Sequence, residues 1–142
     1  MAIVSFAMSL ATAHAQAQLY DRQVKPQSLV SILSAHTEKT HIFFGEQHGL
    51  AEAHAFELQL LQQLADSNQG KVTLGMEMFE ADVQGIISEY FQDLITQKSF
   101  ESEARIWKNY SDYKALVEFA KQRKLQLVAT NIPRRYANAV YH

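Results

Sequence analysis

The chain contains no cysteine. Within this sequence, disulfides and a thiolate metal site are therefore excluded, and no lipobox cysteine is expected as an anchor. Basic excess is missing too: 13 lysines and arginines face 15 acidic residues, for a formal net charge of −2. A phosphate-tracking footprint needs a basic stripe, so nucleic acid is not an expected partner. No Gly-x-Ser-x-Gly occurs, and with it goes the serine nucleophile held on a strand-to-helix elbow. Internal repeats and low-complexity linkers are also lacking. The longest apolar opening, residues 1–17, is too short and too weakly flanked to cross a bilayer.

What is present points to an α/β chain. His41-Ile-Phe-Phe-Gly-Glu-Gln-His48 is a short apolar run that stops at a glycine and is followed at once by a carboxylate and an imidazole. Such a run reads as a buried strand ending at Phe44. Val72-Thr-Leu-Gly-Met-Glu-Met-Phe79 repeats the pattern and carries Glu77, and Leu125–Thr130 is a third run that leads into Asn131-Ile-Pro-Arg-Arg135. Between the first two, Leu50–Asp66 has helical spacing, with Ala53, Phe56, Leu60, Leu61 and Leu64 on one stripe. A strand–helix–strand unit of about 30 residues predicts parallel neighbouring strands. A second helix is expected over Ala81–Lys98, with Val83, Ile86, Ile87, Tyr90, Leu94 and Ile95 inward. A last helix over Asp112–Lys124 turns Leu116, Val117 and Ala120 to the core. Near the start, Pro26 fits a first helical position, with Leu29, Ile32, Leu33 and His36 following at helical spacing. The expected fold is a parallel sheet of βαβ units with flanking helices.

In an open sheet of this kind, ligands bind beyond the carboxyl ends of the strands. Glu46, His48 and Glu77 are expected to meet there. Gly45 would permit the tight turn, and burial among Met76, Met78 and Phe79 would raise the Glu77 pKa. Two carboxylates and an imidazole suit a divalent metal or the activation of water. His54, further along the helix, reads as a solvated or helix-packing residue, with lining the pocket as the lesser alternative. His36 and His41 lack partners at ligand spacing. Trp107, Tyr110 and Tyr113 recur every three residues and form one face if their segment is helical. Asn131 and Arg134 follow the third run, where Arg134 could grip a carboxylate bidentately; Arg135 reads as solvated, and Pro133 as fixing a turn.

Gly45-Glu-Gln-His48, Glu77-Met-Phe79, Trp107 with Tyr110 and Tyr113, and Asn131-Ile-Pro-Arg134 resemble, in order, the motifs of ChaN-like haem-binding uptake proteins. That superfamily also contains the Tiki proteins and the erythromycin esterases. The resemblance covers roughly residues 25–142 and corresponds to the N-terminal half of the usual domain, so the sheet is expected to be incomplete, about half of the family's. It implies haem or an iron compound as ligand, a homodimer with haem at its interface, and outer-membrane haem-uptake components as partners. It further implies a tyrosine on the iron, with Tyr110 and Tyr113 both candidates. His48, Asn131 and Arg134 would help to hold the cofactor, and Lys108, Lys114 or Arg134 would lower the phenol pKa. Without a Cys-x-x-Cys-His segment the haem would be non-covalent. The rival implied by the superfamily is a metal-dependent or Glu/His hydrolase built on Glu46, His48 and Glu77; the missing nucleophile motif weighs toward a binding protein. Residues 1–17 read as a signal-peptide remnant, with Ala13-His-Ala15 and Ala15-Gln-Ala17 fitting small-x-small cleavage. The mature domain is then 18–142, exported and periplasmic or membrane-associated.

Overall fold

The computed structural model describes residues 18–34, 41–46 and 48–140. The expected signal-peptide segment and His36 lie outside them. Strands β1 (Leu19–Tyr20) and β2 (Pro26–Gln27) form a small antiparallel pair, and α1 follows at Leu29–Ser34. Pro26 thus sits in a ladder opposite Tyr20 rather than in the first turn of a helix. Its missing N–H is tolerated because the two-residue strands leave an edge free.

Helix α2 spans Ala51–Ser67 and stops at Gln69 and Gly70, both with positive φ; the Gly70 N–H donates to the Ala65 carbonyl at 2.8 Å. Left-handed residues of this kind close helix C-termini by satisfying orphan carbonyls. Strand β3 (Thr73–Glu80) leads through a 3-10 turn at Ala81–Val83 into α3 (Gln84–Phe91). The single helix expected to Lys98 is broken. Asp93 has φ 59°, Leu94 is 69% exposed, and Thr96 starts α4 (Gln97–Glu103) by accepting the Ser99 N–H at 3.1 Å. A threonine cap supplies one of the bonds that the first turn lacks, so the chain restarts a helix instead of extending one.

Helix α5 (Tyr110–Gln122) and strand β4 (Gln126–Asn131) complete the parallel unit. β4 pairs with β3 in parallel, Thr73 opposite Gln126 and Met76 opposite Ala129. An irregularity then brings Glu80 opposite Asn131. On the other side of β4, the Gln84 side chain accepts from the Ala129 N–H at 2.8 Å and donates to the Leu127 carbonyl at 2.9 Å. One amide thereby occupies backbone groups that an edge strand would leave open.

The parallel neighbour of β3 is therefore β4, not the run at 41–44. Among the described residues that run joins no ladder, and Phe43 is 94% exposed. Strand propensity is realised by pairing and by burying one face; this segment has neither. The fold remains mixed α/β with a small, open parallel sheet. Its core sits between the sheet and helices α2–α5, around Met76, Phe79, Val83, Ile87, Phe100, Tyr113 and Val117. Tyr90 stacks on Phe100 with ring centres 4.5 Å apart, and the core residues expected on α5, Leu116, Val117 and Ala120, are all buried.

Candidate functional site

Two polar groupings meet at Trp107. The first is centred on Glu46, at the end of the irregular segment before α2. Glu46 Oε1 accepts the Tyr113 hydroxyl at 3.0 Å and contacts His48 Nδ1. Tyr113 is fully enclosed on α5, and its oxygen also accepts from Asn109 at 3.0 Å. His54, only 7% exposed, packs its ring edge-on against Tyr113 at 4.9 Å. Its Nδ1 lies 3.2 Å from Glu57 Oε2 and 3.4 Å from Glu46 Oε2. His54 and Glu57 stand three residues apart on α2 and so share a face. Among the described residues, neither Glu46 Oε2 nor His54 Nε2 has a hydrogen-bond partner, although both atoms are buried.

The electrostatics follow from this enclosure. Burial pushes the Glu57 carboxyl above its ordinary value; the His54 hydrogen bond works against that, and the nearby Glu46 charge adds to it. Burial likewise raises the Tyr113 phenol. The Asn109 bond lowers it, and the hydrogen bond and charge of Glu46 raise it further. Tyr110 is raised by burial and then by the Glu118 and Glu101 carboxylates. Both phenols therefore face carboxylates, not the cations expected to depress them. Lys114 is committed to Glu101 at 3.3 Å.

His48 is the open member of this group, with a side chain 62% exposed. Its ring meets Trp107 edge-on at 5.7 Å, and Trp107 meets Tyr113 in the same way at 6.2 Å. Trp107 also lines the second grouping, a surface cleft of about 760 Å³ shared by Glu80, Asp82, Arg105, Lys108, Arg134 and Arg135. Glu80 Oε2 accepts from Arg105 and from the Arg134 backbone N–H, each at 3.0 Å. Asp82 pairs with Arg105 and Arg135. These bonds tie the end of β3 to the turn after α4 and to the 3-10 segment Arg134–Val140 after β4. Four cationic side chains against two carboxylates leave the cleft positive.

The structure thus joins Glu46 and His48 as the spacing suggested, but not Glu77, which is exposed within β3 and is not among these contacts. Its carboxylate points away because alternate strand residues face opposite sides, and the expected burial is not found. Gly45 has ordinary backbone, whereas Gly49 is the left-handed glycine of the following turn, at φ 79°. Tyr113 reaches Glu46, while the buried Tyr110 hydroxyl has no partner among the described residues and the Tyr110 ring packs edge-on against Phe100. Asn131 is half-buried at the end of β4, and the Arg134 guanidinium is exposed. Arg135, expected to be solvated, is paired. Sequence reasoning missed Glu57, Asp82 and Arg105, and of the readings given to His54 the packed one holds, since it is buried against Tyr113. For Glu57 a signal existed: His54 and Glu57 interleave with Ala53, Phe56 and Leu60 on the apolar side of α2, where an unpaired polar residue would be costly.

Compared with known proteins, residues 32–142 match the family model described as haem-binding uptake, Tiki superfamily, ChaN. No curated protein and no solved structure matches the chain.

Proposed function

Since this chain belongs to the ChaN-type haem-binding uptake family of the Tiki superfamily, we propose that it binds haem non-covalently and serves the uptake of haem or a related iron compound. The observation that carries this reading is that Trp107 both contacts the exposed imidazole of His48 and lines a cleft rich in arginine. A porphyrin needs an apolar wall, an axial donor and cations for its propionates. Trp107 offers the wall, His48 the donor, and Arg105, Lys108, Arg134 and Arg135 the cations. The donor set fits: with Glu46 engaging Nδ1, the Nε2 of His48 keeps its lone pair for a metal. Bound haem would supply a ferric centre that accepts such a donor. Tyr113 then acts from beneath by fixing Glu46, and Tyr110 and Tyr113 remain the alternative iron ligands that the test separates. Ile42, Phe43 and Phe44 expose apolar surface beside the site, which supports pairing of two copies around the haem. Export to the periplasm belongs to the same proposal.

A second reading has one observation in its favour. A carboxylate on His48 Nδ1 is also how an imidazole is oriented as a general base, which suits a hydrolase. Titration of the full chain with haemin, followed by visible absorption, tests the first reading. Saturable binding supports it, and its absence favours the hydrolase.

A further inference from the structure

The Glu46–His54–Glu57 group has a feature that haem does not explain. Two carboxylates flank one buried imidazole nitrogen, yet that nitrogen carries at most one proton. It is bonded to Glu57, and among the described residues no donor reaches Glu46 Oε2 in its enclosed position. A buried acceptor with no partner is destabilising, more so when charged. The three donor atoms all lie within 4.8 Å of one another. The two separations from His54 Nδ1, 3.2 and 3.4 Å, match the edge of a tetrahedron of donors about 2.0 Å from a central ion, which is roughly 3.3 Å. One imidazole and two carboxylates suit zinc, manganese or ferrous iron.

We propose that Glu46, His54 and Glu57 bind one divalent first-row transition metal, and that this ion ties the segment bearing Glu46 and His48 to α2. The ion would satisfy Glu46 Oε2 and relieve the repulsion between the two carboxylates. Tyr113 and Asn109 would orient Glu46 from outside the coordination shell, the usual way in which ligating carboxylates are held. The segment at 41–46 belongs to no strand, so the metal would add a link to α2 beside the Tyr113–Glu46 bond to α5 and help to fix where His48 stands. The proposal concerns metal alone and does not depend on haem.

The test uses the full chain, stripped by chelator and titrated with Zn²⁺ and, separately, Mn²⁺, without haemin. Expected are one ion per chain for at least one of the two metals, a rise in Tm on its addition, and slower proteolysis of the segment before α2. His54→Gln and Glu57→Gln should each weaken affinity by at least about tenfold. Metal-free Glu57→Gln should melt no lower than the metal-free wild type, because it removes one of two opposed charges, and this separates lost binding from lost folding. Three results would overturn the proposal: no saturable binding of either ion, equal binding by both variants, or binding that leaves the proteolysis of that segment unchanged. In those cases a proton on Glu57 is what reconciles the two carboxylates.

Discussion

Tyr113 and Glu46 stand 67 positions apart in sequence and 3.0 Å apart in the fold, hydroxyl to carboxylate. The bond fastens a segment with no strand of its own to the helix α5. Tyr113 is wholly buried, so the bond is shielded from water and strengthened by the charge on the acceptor.

Replacing Tyr113 by Phe keeps the ring and removes only the oxygen. A loss of about 1–3 kcal/mol is expected, the range for a hydrogen bond to a charged group or the desolvation of a partner left behind. Urea unfolding of the variant beside the wild type measures it. An unchanged midpoint would mean that Glu46 finds another donor.

Phe100 lies at 0% exposure, stacked on Tyr90 and tilted against Phe79. Phe100→Ala should cost about 3–5 kcal/mol by opening a cavity that the helices cannot close. Thermal melting checks this. Trp107→Ala, at a half-buried position, should instead weaken haemin binding more than it lowers Tm.

Acid should loosen the cleft. Burial acts to raise the Asp82 pKa, but the hydrogen bonds and charges of Arg135 and Arg105 outweigh it and hold the carboxyl below its ordinary 3.8. A depressed folded-state pKa means stability present above the unfolded value and lost as pH falls through the folded one. Asp82→Asn should therefore melt lower than wild type at pH 6, and the gap should shrink below about pH 4. Melting curves across that range decide it; a gap independent of pH would assign the effect to packing.

Much of the fold was legible from spacing. The apolar periods of α2 and α5 and the two runs that became β3 and β4 were readable because each buries its own stripe. The run at Ile42–Phe44 misled because composition records apolar residues but not whether a partner strand exists for them. The helix break at Asp93 was hidden because an aspartate, though more tolerant of positive φ than most residues, occurs as readily on a solvated helix face. At the site, Glu46 and His48 were readable from local order. Glu57 left only the hint of a carboxylate on the apolar side of α2, since its role depends on meeting Glu46 from another element. The Asp82–Arg105–Arg135 network likewise joins three distant parts of the chain.

Haem binding at the Trp107 face is tested most directly by comparing visible spectra of haemin with the full-length wild type, His48→Ala, Tyr110→Phe and Tyr113→Phe. Saturable binding by the wild type is expected, with the iron spectrum altered in His48→Ala and essentially retained in both tyrosine variants. A spectrum lost in Tyr110→Phe or Tyr113→Phe but kept in His48→Ala would move the iron to that phenol. No saturable binding by the wild type would contradict haem as the ligand.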